Sequence, residues 1–145
     1  MPAPLRIREK PPRAMAVALL EAAGLPVSDL TDAILEHFFF AGSDRSPTGL
    51  VGVELYGADA LLRSLVIGPS ERSKGLGSAL AQHIEDYAAS RRVRSIYLLT
   101  TTAEAFFRRL GYERTERSKA PRAIQQTREF ASLCPASSAF MVKLL

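Results

Sequence analysis

The sequence predicts a mixed α/β domain: a meander of strands in its first half, then strands separated by helices. Three observations predict it. Apolar runs at 50–56 ("LVGVELY") and 60–67 ("ALLRSLVI") flank a tight turn at "GAD" and read as a hairpin. Residues 75–91 carry Leu76, Ala79, Leu80, Ile84, Tyr87 and Ala88 as one stripe at helical spacing. "SIYLLTTT" at 95–102 has the length and β-branching of a buried strand, with helical and strand-like stretches after it.

The remaining elements follow in order. "PLRIRE" (4–9) alternates as a short strand. "RAMAVALLEAA" (13–23) has helical spacing, and Gly24 and Pro26 end it. Ser28 or Asp29 caps a short helix running to about Glu36. "EHFFFAG" (36–42) is an aromatic strand, and "SDRSPTG" (43–49) is a polar turn cluster. Gly68-Pro69 stops the strand at 60–67. The long helix after it has Gln82, Glu85, Asp86 and Arg92 on its polar side and His83 at the stripe's edge. "AEAFFRRL" (103–110) is a helix closed by Gly111, and "YERTERS" alternates again. "APRAIQQTREFASL" predicts a helix after Pro121, and "SAFMVKLL" a final strand. With no repeat, low-complexity stretch or linker, residues 1–145 read as one domain.

Composition narrows the function class. Hydrophobic residues make up 47% of the 145, enough for one real core and too many for a disordered chain. No apolar run approaches a membrane span, and the N-terminal stretch lacks the apolar middle of a secretory signal. The single cysteine, Cys134, forms no internal disulfide or thiolate cluster. These features read as an intracellular, cytoplasmic protein with no membrane partner. The net charge of +4 is modest and the arginines are scattered. No zinc finger or helix-turn-helix pattern supports a focused nucleic-acid face, the excess suits a polyanionic small molecule as well, and no nucleic-acid partner is expected, with a nucleic-acid-binding module kept as a rival. His37 and His83 have no ligand spacing, so no metal is expected.

"RSKGLGSAL" (72–80) places basic residues and two glycines where the long helix begins. Free N–H groups, the helix dipole and nearby cations favour a phosphate there. The stretch lacks the spacing of a Walker A loop, and Leu80 stands where a dinucleotide fingerprint needs its third glycine. The shorter pattern Arg-x-x-Gly-x-Gly fits Arg72 to Gly77. Residues 65–77, "LVIGPSERSKGLG", resemble the acetyl-CoA signature of the GNAT N-acetyltransferases. "TTTAEAFFRRLGYE" (100–113) resembles that family's second signature. "ALLRSLVIGP", "YLLTTTAEAFFRRLGY" and "TREFASLCPASSAFM" are most similar to small acetyltransferases associated with arsenic resistance.

The resemblance implies a mixed, twisted sheet of six to seven strands, splayed between 60–67 and 95–102, with four to five helices. It implies acetyl-CoA as co-substrate, entering that gap. The pyrophosphate would sit on the backbone of Arg72, Ser73, Lys74, Gly75, Leu76, Gly77 and Ser78. Leu65, Val66 and Ile67 would run beside the pantetheine, with the Ile67 N–H polarising the thioester carbonyl. Thr101 and Phe107 would lie near the pantetheine arm. The acceptor would be a small amino-acid-like amine, such as an arsenical or phosphinate analogue of glutamate. The plain alternative for 72–78 is a glycine-bearing turn before a helix.

Acetyl transfer to an amine needs a base and, in some enzymes, an acid for the departing thiolate. Many family members place a Tyr as that acid where this sequence has Phe107, so a tyrosine acid is in doubt. Tyr97 and Tyr112 are substitutes or packing aromatics. Glu54, a carboxylate in an apolar strand, is the candidate catalytic base or amine binder. Arg63 stands equally oddly in the next strand. A turn pairing Tyr56 with Leu61, or a two-residue turn opened by Gly57, puts the two charges on one sheet face; a three-residue loop would separate them. Arg63 then holds a substrate anion, or forms a structural ion pair with Glu54. Ser64 reads as a small strand residue, and Cys134 as a small buried one. The rival of another class is an inactive acetyl-CoA-binding sensor or scaffold. A homodimer through the last strand is compatible with the fold.

Overall fold

A computed structural model describes residues 6–43, 45–72 and 74–145. Pro4 and Leu5 of the expected first strand lie outside them. The chain runs β1 (Ile7–Glu9), α1 (Arg13–Ala22), α2 (Asp32–Leu35), β2 (Phe38–Gly42), β3 (Pro47–Tyr56), β4 (Asp59–Ile67), α3 (Leu76–Ser90), β5 (Ser95–Thr100), α4 (Glu104–Arg109), β6 (Glu113–Arg114), α5 (Arg122–Gln125) and β7 (Ala139–Leu144). Short 3₁₀ turns occupy Pro69–Glu71 and Arg117–Lys119, and a π-helix occupies Glu129–Leu133. The seven strands hydrogen-bond in the order β1-β2-β3-β4-β5-β7-β6, within the number expected. β4 and β5 are parallel, whereas β1–β2, β2–β3, β5–β7 and β6–β7 are antiparallel, so the sheet is mixed.

The fold divides into two compact units, each discontinuous in sequence. The first takes the described residues up to Val53 together with Ser64–Ile84. Its core gathers Met15, Ala16 and Leu20 of α1 with Leu35, Phe38, Phe40, Leu50 and Val66. Burying a side chain such as Leu20 stabilises by about 1.5–3 kcal/mol. Gly24, at φ +70°, ends α1 as expected: its N–H bonds to Glu21 O at 3.0 Å and that of Leu25 to Leu20 O at 2.9 Å. α2 starts later than predicted. A turn closed by Leu30 N to Val27 O takes up 27–30, and Thr31 caps the helix by accepting from Ile34 N at 3.2 Å. Across the β2–β3 pair, Gly52 faces Phe38, and a Cβ on Gly52 would stand 2.2 Å from the Phe38 ring.

The second unit takes Glu54–Arg63 and Glu85–Leu145. β7 pairs with β5 over six residues and with β6 at Met141 and Val142. The last strand is therefore flanked by β5 along its whole length and by β6 at two residues. The alternating stretch from Tyr112 becomes only the two-residue β6. Tyr112 is fully buried, and Thr115 N turns to Phe140 O at 2.8 Å before the 3₁₀ turn. The helix expected after Pro121 is broken in two. Thr127 Oγ1 donates to Ile124 O at 2.8 Å and accepts from Phe130 N at 3.2 Å, ending one turn and starting the next. Glu85, expected on the polar side of α3, is buried, with Lys143 Nζ at 2.8 Å and Tyr112 OH at 3.2 Å. No helix among the described residues is long and apolar enough to cross a membrane.

Candidate active site

In the first unit, β4 leads into the glycine loop through a kink. Ser64 adopts φ +60°, in the left-handed region that non-glycine residues seldom occupy. The alternation breaks there: Ala60 to Arg63 are all buried, then Ser64 and Leu65 are half-buried. Val66 enters the core with Leu50, while Leu65 and Ile67 are half-buried beside it in sequence. Gly68 N bonds to Thr48 O at 2.8 Å, and Pro69 opens the 3₁₀ turn that ends the strand. Gly75 adopts φ +83°, and no atom lies within 4 Å of where its Cβ would be. Glycine is needed there for its backbone conformation and not for space.

α3 begins at Leu76 with no acid in its first turn. Ala79 N bonds to Gly75 O at 3.1 Å, and helix geometry leaves the N–H groups of a first turn without an internal partner. Leu76 is buried, anchoring the turn, while Arg72, Lys74 and Ser78 are exposed. Lys74 Nζ is 3.8 Å from Glu71 Oε2. Ser73, a predicted phosphate contact, lies outside the described residues.

In the second unit, Gly57 at φ +67° and Ala58 form a two-residue turn between β3 and β4, one of the two geometries that unite Glu54 and Arg63. Arg63 Nη1 donates to Glu54 Oε2 at 2.9 Å, and Tyr56 OH donates to Glu54 Oε1. Sequence reasoning missed the third member. Glu129, on the π-helix, places Oε1 3.1 Å from Arg63 Nη2. Side-chain exposure is 0% for Arg63, 10% for Glu54 and 7% for Glu129. Arg63 is thus enclosed by two carboxylates. Of its two readings, anion holder and structural ion pair, the geometry matches the ion pair. Cys134 Sγ donates to Glu129 Oε2 at 3.0 Å. Burial, then the Glu129 charge and hydrogen bond, push its thiol up to about 12, against a weaker pull from Arg63 and Arg117. A thiol so held is no nucleophile at neutral pH.

The other predicted residues separate by burial. The parallel register of β4 with β5 runs from Asp59↔Ser95 to Leu61↔Tyr97, while β5 continues to Thr100. Thr101, just past β5, is exposed. Phe107 is buried, edge-on to Phe106 and Tyr112 at centroid distances of 5.1 and 5.5 Å. Tyr112 is a packing residue: burial first, then Glu85, raise its hydroxyl far above the ordinary value. Tyr97 stacks on Phe140 at 5.4 Å, and burial, with Asp59, raises its hydroxyl too. Neither suits an acid near neutral pH. His83 packs edge-on against Phe39 at 4.6 Å.

The fold has known counterparts. The Acetyltransferase (GNAT) family profile matches residues 11–112. An uncharacterised N-acetyltransferase of Chlorobaculum tepidum is 29% identical over 105 residues, 70% of this chain and 67% of that protein. N-acetylglutamate synthase from Neisseria gonorrhoeae, solved with coenzyme A and N-acetyl-glutamate, superposes with a TM-score of 0.83 at 17% identity. That match covers 100% of this chain and 36% of the synthase, so the chain spans about a third of that protein's length. A Mycobacterium tuberculosis protein solved with CoA gives a TM-score of 0.74 at 15% identity, over 97% of this chain and 99% of its own. The profile match takes in the β3–β4 hairpin, the glycine loop and the second signature as far as Tyr112, and on it the chain belongs to the GNAT family of acetyltransferases.

Proposed function

We propose that the protein is an acetyl-CoA-dependent N-acetyltransferase of small amino-acid-like amines, acting as one catalytic domain inside the cell. The observation that carries the cofactor reading is the entry to α3. Gly75 at φ +83° leads into a first turn free of acidic residues, with N–H groups that helix geometry leaves for an anion. The pyrophosphate of acetyl-CoA rests on the backbone of 72–78, with Arg72 and Lys74 supplying charge. Leu65, Val66 and Ile67 flank the pantetheine, and the Ile67 N–H polarises the thioester carbonyl. The kink at Ser64 supports this, since it re-aims the backbone immediately before those residues.

Glu54 receives the acceptor's ammonium. Glu54 and Glu129 bring two carboxylates to one guanidinium, and Glu54 is the more exposed of the two. The amine nitrogen attacks the acetyl carbonyl carbon, the C–S bond breaks and coenzyme A leaves as a thiolate. Before that attack Glu54 takes one proton from the ammonium through water, which frees the nitrogen's lone pair, and the second nitrogen proton passes to solvent as the amide forms. No acyl-enzyme forms, and with Phe107 in place of a tyrosine the thiolate departs without a dedicated acid. The likeness to arsenic-resistance acetyltransferases supports a glutamate-like arsenical or phosphinate as acceptor.

The test is release of free CoA thiol from acetyl-CoA against arsinates and phosphinates of glutamate type, amino acids, polyamines and short peptides. Release with the first group is expected. Acetyl-CoA binding without turnover on any amine would favour a sensor, which Phe107 alone supports. No acetyl-CoA binding would remove the reading of the glycine loop.

A further inference from the structure

We infer, on the reading of Glu54 as base, that Tyr56 is the residue through which Glu54 sheds the acceptor's proton to solvent. A carboxylate that has taken a proton from the ammonium is inactive as a base until that proton leaves. The Glu54 carboxylate is held on both oxygens. Arg63 Nη1 donates to Oε2 at 2.9 Å, and Tyr56 OH donates to Oε1.

The chemistry of the two donors separates them. A guanidinium carries only donors and keeps its charge in proteins, so Arg63 offers no lone pair to a departing proton. With the Arg63 N–H already on Oε2, the proton that Glu54 gains is better held on Oε1. A phenol hydroxyl both donates and accepts. Tyr56 therefore suits either state of the carboxylate. It donates to Oε1 while Glu54 is ionised, and it can accept from Oε1 once Glu54 is protonated.

The surroundings fit a relay on the Tyr56 side. Glu54 and Tyr56 stand two residues apart on β3, so their side chains share one face of the strand. The Tyr56 ring packs against the cluster of Leu61, Ala120, Ile124 and Phe140, which fixes where its hydroxyl lies. Tyr56 is the half-buried last residue of β3, and Gly57 and Ala58 after it are exposed. Bulk water is thus one residue away along the chain. On the other side, the Arg63 side chain is 0% exposed and tied to Glu129 Oε1 at 3.1 Å, so the guanidinium stays in place while Glu54 changes charge.

The step balances. The Oε1–H bond of Glu54 breaks as an O–H bond forms on the Tyr56 oxygen, and the phenol's own proton leaves to a water molecule. Tyr56 ends neutral and again donates to an ionised Glu54, and solvent has gained one proton. Tyr56 acts through Glu54 and is a positioning and relay residue.

The experiment uses Tyr56→Phe, which keeps the ring and removes the hydroxyl. With the amine that supports thiol release, kcat is expected to fall by about tenfold or more, with acetyl-CoA affinity by calorimetry unchanged. Imidazole, added at constant pH and ionic strength, should restore kcat of the variant in proportion to its concentration, by taking the proton in place of the hydroxyl. The parent's kcat should not respond to imidazole. An undiminished kcat in Tyr56→Phe overturns the relay. A lowered kcat that imidazole leaves untouched also overturns it, and reduces Tyr56 to a group that holds Glu54 in place. Full turnover by Glu54→Gln removes the base and the relay with it, while thiol release by the parent still stands. No thiol release with any amine removes the transferase reading itself, and the relay falls with it.

Discussion

Arg63 Nη2 meets Glu129 Oε1 at 3.1 Å with both side chains buried, which fastens β4 to the π-helix far along the chain. Removing one partner of a buried pair leaves its counterpart uncompensated. Arg63→Met strands two carboxylates and should cost about 3–5 kcal/mol. Glu129→Gln, which keeps an oxygen in place, should cost less. Urea unfolding midpoints of the two variants measure this. A loss below about 1 kcal/mol in Arg63→Met would show that the pair adds little.

Glu54 is the least enclosed member of that network. Glu54→Gln keeps the shape and removes the charge. Turnover should fall by about 100-fold or more, with acetyl-CoA affinity by calorimetry unchanged. A variant of undiminished turnover would reduce Glu54 to a partner of Arg63.

The Cys134 thiol, pushed up to about 12 from an ordinary 9.0, is protonated in the fold across a range where the unfolded chain ionises. The unfolded state therefore binds fewer protons there, and the thiol's contribution to stability falls as pH rises. The contribution is complete below about 9 and lost as pH climbs from there to about 12. Alkylation by iodoacetamide at pH 9 should be ~100-fold slower in the native protein than in urea. Equal rates would show that burial and the Glu129 contact do not hold the thiol protonated in solution.

Gly52 lies under the Phe38 ring, with room for no side chain. Gly52→Ala should destabilise by about 1–3 kcal/mol, and Phe38→Leu in the same chain should recover part of it. Thermal melting of the single and double variants decides this. Additive losses would mean that the two residues do not share the contact.

Local relations were legible in the sequence and distant ones were not. The Glu54–Arg63 pair could be read because a two-residue turn brings neighbouring strands into register, whatever the rest of the chain does. Gly24 and Gly75 were legible because helix ends and tight loops need left-handed backbone. Glu129 was hidden inside an apparently continuous helix, since the break at Thr127 depends on a side chain turning back onto the backbone. Glu85 looked solvated because nothing local announces Lys143 and Tyr112 as partners. Ser64 at φ +60° has no signature at all, as serine is an ordinary strand residue and neighbours impose the conformation. Arg117 Nη2 and Ser138 N likewise meet at a shared Pro135 carbonyl that no local pattern announces.

The inner position of β7 bears on how the protein is made. β5 leaves the ribosome with one long side unpaired, and β6, next in line, cannot cover it because β7 must lie between them. Until Ala139–Leu144 emerges, the nascent chain shows a bare, apolar strand edge to other nascent chains. A chaperone that shields β5 during the interval would raise the yield of folded protein.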